Sequence, residues 1–392
     1  MPCAPARRCP TQTASRRIQF VKSLAAAACM ACLTLGAYAQ PAPDYLLYVA
    51  SEAADRITLI RFDGSTLRVE REIDTGLMPV EIDGPHGLGM SPDGQSFFVS
   101  LAHGLPNGAL WKYSTSTNRP IGRVTLGMFP ATLQVSPSGE FVYVVNFNLH
   151  GDPVPSSVSV VHAETMLELA RIQTCRMPHG SRFNAQGTRH YSACMMDDMV
   201  VEIDTATLRV SRYFRLADGA EGGGNGPPPI TPVAQHDMTA HGADAVSATP
   251  LTCSPTWVQP SADGTSIFVA CNGTSQIVEI GIDAWTIRRR LPGRNGVYNL
   301  AATHDGRLLV TTNRREQSAS IIDVQTGNET ARVATPRRAV HGVAITSDDR
   351  YAFVSSEGIG AEPGSVIAID LSRLAVVATV DVAPQAGGID VR

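Results

Sequence analysis

A chain of 392 residues, 43% of them hydrophobic, has material for a sizeable core. Its formal net charge of −4 gives no global electrostatic case for a nucleic acid or an anionic membrane surface as partner. Length alone suggests two or three domains, an expectation that fails where an internal repeat is present, so the repeat decides.

The chain begins with Arg7, Arg8, Arg16, Arg17 and Lys22, followed by the apolar run "LAAAACMACLTLG" and then "AYA", which places Ala37 and Ala39 before Gln40. Basic, apolar and small-residue segments in that order read as a secretory signal peptide over residues 1–39. The apolar run is too short for a membrane span. "SRRIQFVK" is close to a twin-arginine signal, with one residue too many before the phenylalanine. Export implies a periplasmic or secreted mature chain. Four of the eight cysteines leave with the leader, and Cys175, Cys194, Cys253 and Cys271 remain.

From residue 45 onward the pattern is that of β-strands. "YLLYVAS", "RITLIRFD" and "LRVEREI" are followed by units that share a turn: "SPDG" at Ser91, "SPSG" at Ser136, "NAQG" at Asn184, "SADG" at Ser261, "THDG" at Thr303 and "TSDD" at Thr346. The period is roughly 45 residues, the length of a four-stranded propeller blade. In each unit a short apolar strand precedes the turn. A β-rich strand follows it ("SFFVSL", "FVYVVN", "SIFVAC"), then a third strand that often ends in Asp ("VVEIDT", "VIAIDL"), then a fourth ("ELARI", "AVVATV"). Period-two alternation between turn residues is the signature of half-buried strands.

Six complete units fit between Pro85 and Pro384. The first three strands of the mature chain lack a first strand, and the C-terminal "AGGIDVR" is a first strand without successors. Joined, they complete a seventh blade and remove the open sheet edges. The expectation is an all-β chain, with residues 40–392 forming one seven-bladed β-propeller of four-stranded antiparallel blades. A loop insertion at about 217–253, rich in Gly and Pro, interrupts the fourth unit.

The segments "YVVN", "VSPSG", "MSPDG" and "VIAID" resemble the YVTN-type repeat family of periplasmic seven-bladed propellers. That resemblance covers nearly the whole mature chain and implies architecture more than activity. Some relatives are large subunits of quinoprotein amine dehydrogenases, and others are lactonases or binding proteins.

Three first strands carry a histidine at one shared position: "PHGLGM" (His86), "PHGSRF" (His179) and "VHGVAI" (His341). The other units have Ala131, Thr256, Tyr298 and Gly387 there, so the repeat itself does not demand histidine. The start of a first strand lies beside the loop between second and third strands, so the three should face one mouth of the central channel. Met177, Met195, Met196, His103 and His150 fall on that face, as do His236, Met238 and His241 of the insertion. Imidazole and thioether ligands suit copper, and imidazole also suits zinc. A neutral imidazole is also a general base, and a histidine between Pro and Gly also serves simply as a turn residue. The ligand or metal candidates are thus His86, His179, His341, His236, His241 and Met177.

Cys175 precedes the first strand of unit four and Cys194 ends its second. Cys253 and Cys271 repeat that placement in unit five. In an oxidising compartment the favoured bridges are Cys175–Cys194 and Cys253–Cys271, each worth about 3 kcal/mol in the chain-entropy treatment; a thiolate metal site is the competing reading. Arg294, Arg314, Arg315, Arg337 and Arg338 form a candidate anion-attracting rim on the same face. A single-stranded nucleic acid would also want stacking aromatics, and only Trp257 and Tyr298 lie near the mouth.

No G-x-S-x-G, C-x-x-C-H, H-E-x-x-H or P-loop pattern occurs. The first functional reading is therefore a ligand-binding or scaffold protein, with copper or another transition metal as a candidate at the channel mouth and a small molecule or periplasmic protein as partner. The alternatives are an oxidoreductase component like an amine dehydrogenase large subunit, which would need a redox partner chain, and a lactonase-like hydrolase.

Overall fold

The computed structural model describes residues 44–76, 82–103, 106–230 and 252–392. The expected signal peptide, and His236, Met238 and His241, lie outside them. Among the described residues, twenty-nine strands form seven antiparallel sheets. Blade one contains β1 (Tyr45–Ser51), β2 (Arg56–Phe62) and β3 (Leu67–Asp74). Blade two contains β4 (Pro85–Met90), β5 (Ser96–Leu101), β6 (Ala109–Ser114) and β7 (Pro120–Thr125). Blade three is β8 (Pro130–Val135), β9 (Phe141–Asn146), β10 (Ser157–His162) and β11 (Leu167–Gln173). Blade four is β12 (Pro178–Phe183), β13 (Arg189–Cys194), β14 (Met199–Asp204), β15 (Arg209–Arg215) and β16 (Gly222–Asn225). Blade five is β17 (Pro255–Pro260), β18 (Ser266–Cys271), β19 (Gln276–Gly281) and β20 (Thr286–Pro292). Blade six is β21 (Val297–Ala302), β22 (Leu308–Asn313), β23 (Ser318–Asp323) and β24 (Glu329–Ala334). Blade seven is β25 (Val340–Ile345), β26 (Tyr351–Ser356), β27 (Gly364–Asp370) and β28 (Ala375–Val382), and β29 (Ala386–Val391) returns to blade one.

The expected seven-bladed closure is what the structure has: blade one runs β29-β1-β2-β3, with Leu47 opposite Val391 and Val49 opposite Ile389. Inner strands meet their neighbours around the ring, β29 touching both β4 and β25. Closure is sealed by apolar packing between blades one and seven. Phe62 meets Tyr351 and Phe353 edge-on at 4.9 and 5.3 Å, within a cluster that includes Leu47, Ile60 and Val366. Burying one such aromatic side chain stabilises the fold by roughly 1.5–3 kcal/mol. Middle strands such as β9 and β18 are buried almost throughout. Outer strands such as β20 alternate between exposed and half-buried positions, as the free edge of an antiparallel sheet should.

The insertion is not loop throughout. Its early part, β16, adds a fifth strand outside β15, with Arg212 opposite Asn225 and Arg215 opposite Gly222. Glycine makes this possible. A Cβ at Gly223 would lie 2.1 Å from Trp285 Cδ1, and one at Gly224 would lie 2.4 Å from Tyr213 Cζ. Both expected disulfides are present, Cys175–Cys194 and Cys253–Cys271, with Cα separations of 5.9 and 4.5 Å. Each ties the approach to a first strand to the end of the second.

A candidate metal centre at the channel throat

Three local devices aim the second residue of every inner strand into the channel. The residue just before each inner strand has a positive φ: Gly84, Phe129, Met177, Ser254, Gly296, Ala339 and Gln385. Five of the seven are neither glycine nor asparagine, so the conformation is imposed at a cost of about 1 kcal/mol or more each. The carbonyl of each of these residues accepts a hydrogen bond from the N–H just after the second strand. Ala102 N donates to Gly84 O at 2.9 Å, Met195 N to Met177 O at 3.0 Å and Glu357 N to Ala339 O at 3.1 Å. Each inner strand then pairs with its neighbour through a shifted register near its start, for example between Pro85 and Leu88 and between Val340 and Val343. Such a bulge re-aims a side chain.

Hydroxyls clasp adjacent blades at the same level. Ser355 Oγ accepts from Gly342 N at 3.0 Å and donates to Gly387 O at 2.7 Å. Thr312 Oγ1 accepts from Asn299 N and donates to His341 O. Ser100 does the same between Gly87 N and Ala131 O. These clasps hold the inner ring in register across blade boundaries.

Two rings of side chains result. The first holds His86, Ala131, His179, Thr256, Tyr298, His341 and Gly387. The second, from the residue that follows each second strand, holds Glu52, Ala102, Phe147, Met195, Asn272, Arg314 and Glu357. His86, His179 and His341 come together: each offers one ring nitrogen, and these atoms all lie within 4.8 Å of one another. Their ring centroids are 5.5 to 6.4 Å apart. His179 and His341 are buried and His86 is half-buried.

The second ring orients the first. Glu52 bridges two histidines: His86 Nδ1–H donates to Oε2 and His103 Nε2–H to Oε1, both at 2.6 Å. Burial works to raise the Glu52 pKa, but the charges and hydrogen bonds of His86 and His103 outweigh it and hold the carboxyl below its usual range. The hydrogen bond to Glu52 raises the pKa of His103. His179 Nδ1–H donates to Thr256 O at 3.0 Å, which leaves Nε2 to accept from the Tyr298 hydroxyl at 3.1 Å. Arg314 forms a two-armed pair with Glu357 and lies over the Tyr298 ring at 5.0 Å.

Desolvation pushes the His179 pKa down to about 3 and that of His341 well below its ordinary value. Both rings are therefore neutral near pH 7, each with one nitrogen lone pair, that of His179 engaged by the Tyr298 hydroxyl. His86 Nε2 and His341 Nδ1 are buried with no hydrogen-bond partner. Buried polar nitrogens left unpaired are costly, and two of them facing one small space call for a shared occupant. A tetrahedral metal with bonds of about 2.1 Å separates its nitrogen ligands by about 3.4 Å, so the three rings need a modest inward rotation to close on one ion.

The remaining candidates are distributed as follows. Met177, at its strained backbone position, packs against the cluster of Ala102, Phe129, Ala131 and Phe147. His150 stacks on His103 at 6.0 Å between centroids. Of the arginines, Arg294 pairs with Glu329, Arg314 with Glu357, Arg337 with Asp381 and Arg338 with Glu362. Arg315 instead donates to the backbone and side-chain oxygens of Asn272. The rim thus carries much less net charge than its arginine count suggests. Arg314, Arg315 and Arg338 line a concavity of about 680 Å³ above the throat, together with Thr256, Tyr298 and Met195.

Sequence reasoning missed Glu52 and Glu357. The signal was there: both follow a second strand, in register with Arg314. It also missed Arg182, which projects into the channel one level below the histidines.

No family model and no curated protein matches the chain. Solved structures do. Periplasmic gluconolactonase of Pseudomonas aeruginosa superposes with a TM-score of 0.66 at 17% identity, covering 89% of this chain and 99% of its own. A putative 6-phosphogluconolactonase of Bacteroides uniformis gives 0.62 at 13%, covering 90% and 100%. Kuenenia stuttgartiensis hydrazine synthase gives 0.60 at 18%, covering 80% and 93%. At these identities the likeness is one of fold. Among the described residues no helix is long and apolar enough to cross a membrane.

Proposed function

We propose that the protein is an exported, metal-binding β-propeller whose centre is His86, His179 and His341 at the channel throat. One observation carries this: three imidazoles from three different blades converge within 4.8 Å, with two buried nitrogens unpartnered among them. The arrangement also has the outer support that metal-binding histidines usually have. His86 gives its Nδ1–H to a carboxylate, and His179 gives its own to a backbone carbonyl. Copper and zinc are the ions that suit such a donor set. The resemblance to YVTN-type repeats and the N-terminal segment support a periplasmic setting, as do the two disulfides.

Calorimetric titration with Cu2+ and Zn2+ tests the reading, backed by elemental analysis of protein purified from the periplasm. The parent should bind one ion. His86→Ala, His179→Ala and His341→Ala should each lose that binding, whereas His190→Ala should keep it. Undetectable binding by the parent at micromolar concentrations would sink the proposal.

A second reading rests on the concavity of about 680 Å³ over the throat, which has room for a small organic molecule. With lactonases among the structures of similar fold, lactone hydrolysis at this mouth is the activity to screen, and turnover lost in the histidine variants would establish it.

A further inference from the structure

Directly beneath the histidine ring the channel holds a cavity of about 40 Å³. Its wall includes His86, His341, Thr132, Arg182, Trp257 and Asn299, and the remainder is apolar side chains and glycine backbone. One water-sized group needs about 10–15 Å³ by this measure, so the space admits about three heavy atoms. The polar groups in that mixed wall are incompletely satisfied. Trp257 Nε1–H is buried with no acceptor, and Asn299 Oδ1 is buried with no donor. An Asn amide turned by half a rotation presents N–H instead, a choice governed by whatever fills the space.

Arg182 is the unusual member. Its guanidinium donates to Ser181 O at 3.0 Å and lies over the Trp257 ring at 5.0 Å. Among the described residues it has no ion pair. The carboxylate on the same level, Asp390, is engaged elsewhere: Oδ2 accepts from Met90 N at 2.8 Å and Oδ1 from Val391 N at 2.9 Å. Burial raises the Asp390 pKa, which reduces its value as a counter-charge. Desolvation pulls the Arg182 pKa down to about 10. Arg182 is half-buried in the channel wall, and a guanidinium partly withdrawn from water without a carboxylate against it would gain from an anion.

We infer that this cavity is a site for a small monovalent anion of one to three heavy atoms, of the halide, azide or nitrite class, bound between the metal of the histidine ring and the Arg182 guanidinium. The inference rests on the metal reading above, because imidazole ligands bring no negative charge to the ion and the cavity touches two of them. The anion takes the metal's open position from below. Arg182 and the Trp257 N–H hold its far end, while the mouth above stays free for a larger ligand.

The test uses the mature protein loaded with Cu2+ and titrated with azide, read by the azide-to-copper charge-transfer band. The parent should show saturable binding. Arg182→Gln should weaken azide by about tenfold or more, the value of a charged hydrogen bond, with copper affinity and Tm close to the parent's. Arg182→Lys should recover part of the loss. Trp257→Phe keeps the ring and removes the N–H, and should cost about fivefold; it keeps the test decisive where Arg182→Gln folds poorly. Copper binding without an azide band, or azide binding equally well in the Arg182 and Trp257 variants, would overturn the anion site and leave the metal site standing. Failure of copper itself to bind would remove the metal reading and this inference together.

Discussion

The two ends of the inner strands treat polar groups in opposite ways. At the turn end, the repeated motif satisfies itself. Ser261 Oγ donates to Asp263, whose carboxylate also accepts from Thr265 N, while Gly264 N donates to Ser261 O. Thr303–Asp305 and Thr346–Asp348 repeat the arrangement. At the throat end, the side chains depart from the repeat, and His86 Nε2, His341 Nδ1, Trp257 Nε1 and Asn299 Oδ1 are buried unpaired. A polar group that recurs in every blade belongs to the fold and carries its partner with it. Unpartnered groups from several blades that converge on one channel mark a place built for something else.

That contrast can be broken most severely at the closure. Deleting residues 387–392 removes most of β29 and leaves β1 with an unpaired edge. The expected result is a fall in Tm of more than ten degrees or loss of folding (about 4–8 °C accompanies each kcal/mol in small domains and less in large ones). A truncated chain melting within a degree or two of the parent would show that blade one does not need its C-terminal strand.

Next in size is the histidine ring. Each of His86→Ala, His179→Ala and His341→Ala should weaken Cu2+ or Zn2+ binding by about a hundredfold or more, since outer-shell changes alone cost 10–100-fold. Glu52→Gln, which alters the partner of His86, should fall within that outer-shell range. If the three alanine variants retain metal and differ only in melting temperature, the throat is structural like the turns.

His190 sharpens the contrast within the fold itself. It is buried against Tyr143 and Phe183, both ring nitrogens lack partners, and desolvation lowers its pKa to about 3 from an ordinary 6.5. The unfolded chain therefore binds the extra proton between those two values. Stability from this group is complete above about pH 6.5 and is lost progressively as pH falls toward 3. His190→Leu should flatten the decline of unfolding free energy between pH 6 and 4 by up to one proton, while metal binding is untouched. An unchanged slope would show that the ring is not held neutral by the fold.

Smaller effects are expected at the clasps and at the tyrosine. Ser355→Ala leaves Gly342 N–H and Gly387 O at a blade junction without their partner and should cost about 1–3 kcal/mol in denaturant unfolding, with metal affinity unaltered. Tyr298→Phe frees His179 Nε2 from a competing hydrogen bond and should tighten metal binding by about fivefold, the worth of one hydrogen bond. Weaker binding in that variant would instead make the tyrosine a ligand.

Sequence alone determined the blade count, the closing strand and the shared position of His86, His179 and His341, and it favoured the two disulfides that the structure then showed. All of these follow from local pattern: strand period, turn spacing and cysteine placement repeat with the blade. It also marked where β16 departs from a plain repeat, though glycines that read as loop proved to be the residues small enough to lie against Trp285 and Tyr213. Only the tertiary structure decided that three histidines distant in the chain stand close enough to share an ion, that Glu52 holds two histidines at once, that four rim arginines are paired with carboxylates, and that Arg182 faces a cavity without such a partner. Periodicity tells which way a side chain points. How far apart two such side chains end, and which charge meets which, depends on the channel radius and on contacts between blades, and these exist only once seven sheets have packed and closed into a ring.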